Sequence, residues 1–366
     1  MKAALLGLSH PHSGILLTTL ENLPEVTSVC LWDPDAVALA HPNLPPARKV
    51  SHVSTNLDAV LAQRDLVFAI LCVRHDQAAA LARRILAAGK HLVAEKPAGL
   101  NSAEIVVVRG AAASAGVVAS VLYPRRFHPC VIAAKSLMRS GVIGPLFSAE
   151  CRFLATQIKF RDPQSWLFRR DQAGGGILLW LGCHCLDLLH HVTGDAIVEV
   201  GAAIAIRSGE TIDVEDTAAL TLKFRSGAIG TFHAGYTLAF SGQGYLNAAG
   251  YDSYLGFNGR SGRIVWPYLE PRLLVEHARE DGTAPMREEG FATVPSTSYG
   301  GGAGEEFFRR FIAAIQGEGL PPTTMDDAIR TARIIEAAEE SSSSGRIIRI
   351  TPPDSSNPPP RILPAA

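Results

Sequence analysis

The chain has 366 residues, of which 47% are apolar and 19% charged, and its 34 basic and 35 acidic side chains leave a formal charge of −1. That length calls for two or three domains with sizeable cores, and that composition excludes a disordered or coiled-coil chain. Near-neutral charge without long like-charge blocks argues against a nucleic-acid binder that works by neutralising phosphates, so the expected partner is a small molecule.

In chain order, the first 123 residues alternate strands and helices: strand 2–6, helix 13–21, strand 28–32, helix 57–62, strand 66–72, helix 77–88, strand 91–94, helix 103–116 and strand 117–122. This rhythm predicts an α/β protein whose N-terminal domain, 1–123, is a doubly wound parallel sheet. The opening apolar run is read as the first strand rather than a leader, because His10, Pro11 and His12 arrive early and no small-residue cleavage site follows. The longest uncharged apolar-looking stretch, 110–123, has 14 residues. It falls short of the roughly 20 that cross a bilayer, so no membrane span is expected.

After Tyr123 the rhythm changes to a helix at 129–140 ended by Gly141, a strand at 146–154, and a helix at 176–193 ended by Gly194. Between 197 and 266, strands are separated by turn signals at Arg225-Ser226-Gly227 and Asn258-Gly259-Arg260, predicting one large, mostly antiparallel open sheet. Helices at 305–316 and 325–341 and a strand at 346–350 close a second α/β domain, 124–350. The last 16 residues, 351–366, hold six prolines and are expected to be a disordered tail. Six cysteines in so long a chain form no dense disulfide framework, and a reducing cytoplasm is the expected location.

Gly7, Ser9 and His12 stand where a dinucleotide turn carries Gly-x-Gly-x-x-Gly, with His10 inside the same turn. The chemistry there needs a tight bend and free N–H groups of a helix N-terminus facing a pyrophosphate. Ser9 offers a small side chain and a hydroxyl, whereas His12 must point outward or widen the helix-to-strand contact. The competing reading is an ordinary strand-to-helix turn. Asp33 ends the second strand, 21 residues beyond His12, where a carboxylate accepts a ribose 2′-hydroxyl and repels a 2′-phosphate, favouring NAD over NADP. Its rival is that Asp33-Pro34-Asp35 is only a polar turn. Glu95-Lys96-Pro97 follows a parallel strand and projects a lysine into the crevice where such sheets bind ligands, with a cis proline as one way to fix the chain direction. Beside an oxidised nicotinamide, such a lysine is suited to polarising a hydroxyl, unless the pair is merely an exposed Glu-Lys loop.

Ala-Gly-Lys-His-x-x-x-Glu-Lys-Pro at 88–97 is joined downstream by Gly174-Gly175-Gly176-Ile177-Leu178, Gly182-x-His184 and Asp187. Arg126 within 123–127, Gly141-Val142-Ile143-Gly144 and Val214-Glu215-Asp216-Thr217 extend the pattern. From about residue 2 to 350 the chain resembles the Gfo/Idh/MocA oxidoreductases, named for glucose-fructose oxidoreductase and inositol dehydrogenase. The resemblance implies a Rossmann domain that binds NAD or, less favourably, NADP, and a substrate domain whose open sheet makes a homodimer or homotetramer. It implies hydride exchange with a secondary alcohol of a sugar, cyclitol or glycoside, with Lys96 on the reacting oxygen and His184 exchanging its proton.

Two departures stand out. Relatives often carry an aspartate four residues before the histidine, and here that position is Trp180, which suits stacking on a sugar ring or a place in the core. In the loop that begins at Cys72 beside the cofactor ribose, relatives usually have Pro-Asn followed by a histidine three residues further on, and this chain offers Arg74, His75 and Ala78 instead. Asp187 is read as a hydroxyl acceptor or an orienter of His184, and Trp166 with Arg169 and Arg170 as a border of the substrate pocket. Cys183, His184, Cys185, Asp187, His190 and His191 invite a metal reading, but Cys-x-Cys on one helix points its thiols apart, so no metal is expected. Two alternatives stay open: cleavage of a glycoside through transient oxidation, and dinucleotide binding without catalysis.

Overall fold

Short apolar runs of the N-terminal third pair in parallel because each is followed by a crossover helix. The computed structural model describes residues 1–40, 44–239, 251–267 and 270–350, so the expected tail at 351–366 lies outside the described residues. The chain divides into two units. Among the described residues, one is Met1–Phe127 with Val294–Arg330, and the other is His128–Thr293 with residues 331–350. Val294–Arg330 thus returns to the first unit, where a single cut at residue 123 assigns it to the second.

The first unit holds β1 (Lys2–Leu6), β2 (Ser28–Trp32), β3 (Val50–Ser54), β4 (Leu66–Leu71), β5 (His91–Ala94) and β6 (Ala119–Val121). They form one parallel sheet in the order β3-β2-β1-β4-β5-β6. The order reverses between β1 and β4, so the carboxyl ends of those strands flank the crevice in which doubly wound sheets bind ligands. Ala3, Ala4, Leu5 and Leu6 are all fully buried, as both-sided burial of a central parallel strand requires. β3 is absent from the sequence expectation: Val-Ser-His-Val-Ser is a mostly exposed edge strand with little apolar content. The returning helix Gly302–Ile315 adds Phe307, Phe308 and Phe311 to the core, with Phe311 edge-on to Phe68 at 5.5 Å.

The second unit holds β7 (Leu146–Thr156), β8 (Ile197–Ala205), β9 (Thr217–Phe224), β10 (Ile229–Leu238), β11 (Tyr251–Gly259), β12 (Gly262–Pro267), β13 (Arg272–His277), β14 (Met286–Gly290) and β15 (Ile348–Arg349). Their order is β14-β13-β12-β11-β7-β10-β9-β8-β15, and the pairs are antiparallel except β7 with β10. β13 and β14 extend the sheet beyond the strands expected from sequence. Along β9, Ala218, Leu220, Leu222 and Phe224 face inward while Ala219, Thr221 and Lys223 face out, leaving one open face. The segment Arg170–Thr193 is long and apolar enough to cross a membrane by length and composition, yet nearly all of it is buried within the fold, as a core helix would be. It is longer than the stretch 110–123. All six cysteines are buried.

Candidate active site

β1 ends at Leu6, and Gly7 turns with φ +99°. A Cβ there would lie 2.3 Å from Cys72 O. The Gly7 N–H donates to Trp32 O at 2.8 Å and the Cys72 N–H to Leu6 O at 2.8 Å, so the bend is stitched to both neighbouring strands and admits only glycine. The helix Ser13–Asn22 that follows has no side-chain cap at its N-terminus. The Ser13 N–H already donates to His10 O at 3.0 Å, and the next N–H groups of the first turn suit a pyrophosphate, so the turn fits a dinucleotide. Ser9 is exposed on this turn. Asp33 is buried, its Oδ2 accepting the Leu8 N–H at 2.7 Å and its Oδ1 the Asp35 N–H at 2.9 Å. It braces the turn, and each oxygen keeps a second lone pair that a ribose hydroxyl can use, so the polar-turn and ribose readings are compatible.

Of the two courses open to His12, the outward one is not taken. His12 points inward, 6% exposed, with Nδ1 2.5 Å from Glu95 Oε1 and its ring 4.8 Å from Tyr299. The carboxylate supplies the polar partner that makes burial of an imidazole tolerable. The His12 backbone N–H donates to His10 Nδ1 at 3.1 Å, Ser13 Oγ donates to His10 O at 2.5 Å, and the His10 ring lies 6.4 Å from that of His75. Burial pushes the imidazoles of His10 and His12 well below the ordinary value and pushes the Cys72 thiol up, which makes it an inert one. Burial also raises Glu95, against the opposing charge of Lys96.

Glu95 follows β5, its N–H donating to Leu71 O at 2.9 Å. Lys96 is 0% exposed, with Nζ 3.9 Å from Glu95 Oε1, so the exposed-pair reading is excluded. The Lys96–Pro97 peptide is cis. Arg74 is half-buried and bidentate to Asp76 at 3.1 and 2.8 Å, which ties it to its own helix start.

Among the described residues, His10, His12 and Glu95 are the group that could hold a metal ion, with donor atoms within 4.8 Å of one another. Two ligands at about 2.0–2.1 Å in tetrahedral geometry would stand roughly 3.3 Å apart. The 2.5 Å separation and the adjacent Lys96 suit a shared proton better than a cation. In the cluster at 183–191, His190 Nδ1 donates to Asp195 O at 2.9 Å and His191 lies 3.2 Å from Lys135 Nζ, so its outer members serve other contacts.

In the second unit, a π-helical turn at Leu178–Gly182 leads into the helix Cys183–Thr193. Gly176 passes so close to Glu215 that a Cβ would lie 1.9 Å from its carbonyl oxygen. The Glu215 carboxylate accepts the N–H groups of Gly176 (2.7 Å) and Leu178 (3.0 Å), and its carbonyl that of Ile177 (3.0 Å). Burial pushes Glu215 up and these donors hold it down. This capping role was missed from sequence, although Val214-Glu215-Asp216-Thr217 was its visible trace. Trp180, His184 and Asp187 are all buried on the helical segment, and Trp166 stands edge-on to Trp180 at 6.4 Å. Arg169 donates to Thr211 O at 2.7 Å and Gln164 Oε1 at 2.9 Å. Arg126, in the first unit, pairs with Asp327 at 2.9 Å. Burial pushes that aspartate up, but the charge and hydrogen bond of Arg126 overcome it and hold the carboxyl well below its usual range. Both arginines thus hold structural partners.

The first unit therefore gathers His10, His12, His75, Glu95 and Lys96 behind the turn, and the second carries Trp180, His184 and Asp187 on one helical segment. Residues 2–123 match the model of the oxidoreductase family with an NAD-binding Rossmann fold, and residues 131–264 that of the GFO/IDH/MocA C-terminal domain. The chain is 27% identical over 292 residues to levoglucosan dehydrogenase of Pseudarthrobacter phenanthrenivorans, covering 69% of this chain and 72% of the relative. It is 25% identical over 299 residues to inositol 2-dehydrogenase of Rhizobium meliloti, covering 80% and 84%. A structure of levoglucosan dehydrogenase in complex with NADH and levoglucosan shares the fold, with a TM-score of 0.81 over 95% of this chain and 99% of that one at 20% identity.

Proposed function

Because the chain belongs to the Gfo/Idh/MocA oxidoreductases and carries their NAD-binding Rossmann domain, we propose that it transfers hydride between NAD and a secondary hydroxyl carbon of a sugar, cyclitol or glycoside. The observation that carries this reading is the fully buried Lys96 beside Glu95, behind a glycine turn and an uncapped helix N-terminus. The activities for which the levoglucosan and inositol relatives are named support the substrate class.

Bound NAD supplies the hydride acceptor. Gly7, Ser9, His10 and the first turn of the helix Ser13–Asn22 hold its pyrophosphate, Asp33 its adenine ribose, and Cys72, Arg74 and His75 border the site. The carboxylate of Asp33 disfavours a 2′-phosphate and so selects NAD over NADP. Lys96 binds the reacting oxygen and supports its negative charge, and His184 exchanges the hydroxyl proton. Asp187 orients His184 or accepts a substrate hydroxyl. Trp166 and Trp180 offer an apolar wall to a ring, and N–H groups of Arg126 and Arg169 serve polar substituents. The open face of the second sheet, with Thr221 and Lys223 outward, suits a second copy of the chain, and buried cysteines suit a cytoplasmic setting.

The test is incubation with NAD and a panel of levoglucosan, myo-inositol and simple glycosides while absorbance of the reduced cofactor is followed. Turnover is expected for at least one. Folded protein that turns over none in either direction contradicts the reading. Cleavage of a glycoside without accumulating reduced cofactor would replace it by transient oxidation, and dinucleotide binding without chemistry by a binding role.

A further inference from the structure

We propose that His12 is a positioning residue for this reaction, acting through its hydrogen bond to Glu95 on the buried Lys96. The inference rests on the proposed role of Lys96. Where a dinucleotide turn has its third glycine, this chain places an imidazole whose Nδ1 lies 2.5 Å from Glu95 Oε1, and the same oxygen lies 3.9 Å from Lys96 Nζ. All three side chains are at least nine-tenths buried.

A buried ammonium needs a paired anion, and a buried carboxylate needs donors for its oxygens. Glu95 serves Lys96 in the first sense and is served by His12 in the second. Burial keeps His12 neutral, so its donation fixes Oε1 in place without cancelling the charge that Lys96 requires. Backbone bonding adds rigidity: the His12 N–H is held by His10 Nδ1, and the Glu95 N–H by Leu71 O. Among the described residues, His10, His75, Cys72 and Tyr299 are titratable groups that also face the cluster. Lys96 thus sits at the end of a braced chain, His12 to Glu95 to Lys96. A glycine at position 12 would leave the carboxylate to swing.

Four variants test this: His12→Ala, His12→Asn, Glu95→Gln and Lys96→Met. The first readout needs no turnover. Proton NMR of the wild type should show a far-downfield, exchange-protected signal from the short His12–Glu95 bond, absent in His12→Ala and Glu95→Gln and displaced in Lys96→Met. The second is kinetic. His12→Ala should lower kcat by about 10- to 100-fold, as removal of supporting partners typically does, with KM and the NAD dissociation constant within about threefold. Its pH–rate profile should be displaced, and His12→Asn, which keeps an N–H donor near the Nδ1 position, should recover most of the rate. A signal indifferent to Lys96→Met, or His12→Ala with wild-type kcat and pH profile, overturns the inference. If His12→Ala fails to fold, His12→Asn and the spectrum decide. Absence of any alcohol turnover, with a signal that still responds to Lys96→Met, would sink the proposed reaction and leave the coupling standing. Turnover without that response would sink the coupling alone.

Discussion

Two helix beginnings in this molecule are built on opposite plans. The helix Ser13–Asn22 starts with no side chain on its N–H groups, beside a cluster of buried titratable residues. The helical segment that carries His184 starts with its N–H groups already bonded to Glu215. An open N-terminus is available to an anion, and a capped one is a structural joint. The substitutions run in opposite directions as well. Where a dinucleotide turn carries its third glycine this chain has His12, and one helical turn before His184 it has Trp180. His12 sets a titratable group against Glu95, whereas Trp180 sets an indole in the segment before His184. The buried titratable cluster His10, His12, His75, Glu95 and Lys96 lies in the first unit, and the helical segment of the second carries buried Trp180, His184 and Asp187.

The comparison can be broken at several points. The largest expected effect is at His184, where replacement by Asn should lower kcat by about 10²- to 10⁴-fold, the range for loss of a general acid or base, with NAD affinity unchanged in a direct binding titration. Equal losses of affinity and rate would mean that the second unit holds cofactor after all. Next come two of the glycines that admit no Cβ, one at each helix beginning. Gly7→Ala meets Cys72 O and Gly176→Ala meets Glu215 O, so each should cost about 3 kcal/mol or more in denaturant unfolding, through strain and overpacking.

A smaller effect is expected for Glu215→Gln. One acceptor remains, and the loss should be about 1–2 kcal/mol of stability, with NAD binding untouched. A fall in NAD affinity would show that the two helix beginnings are not separate in function. The smallest effect concerns pH. Burial pushes His91 below its ordinary value, and its Nδ1 accepts the Val118 N–H at 3.0 Å. A proton then prefers the unfolded chain. The stability His91 contributes is full above about pH 6.5 and is lost as pH falls toward its depressed folded value. His10 and His12 act in the same sense, while the raised carboxyls of Glu95 and Glu215 act oppositely as pH rises from about 4.3. The slope of melting temperature against pH between 5 and 7 should therefore be less positive in His91→Asn than in the wild type.

How much was legible in the sequence followed from where the partners lie. β1, β2, β4 and β5 are apolar runs bounded by turn residues, and their bounds were readable within a residue. β3 hid because an exposed edge strand needs little apolar surface, and β14 hid likewise, with Met286, Arg287 and Glu288 all exposed. Lys96 and Glu95 could be recognised from a contiguous motif. The inward turn of His12 could not, because its partner is 83 residues away. The capping of Gly176 and Leu178 depends on a carboxylate nearly 40 residues downstream, so Val214-Glu215-Asp216-Thr217 was visible as a motif while its target was not. Return of Val294–Arg330 to the first unit rests on Phe307, Phe308 and Phe311 meeting a core laid down some 240 residues earlier, a pairing that periodicity does not encode.

The most direct measurement is a matched pair of assays, wild type and Lys96→Met, each loaded with NAD and given levoglucosan or myo-inositol while absorbance of the reduced nicotinamide is recorded. The account predicts a rising signal in the wild type and loss of at least about a thousandfold in the variant, with the variant still binding NAD. Equal rates in the two proteins would contradict it.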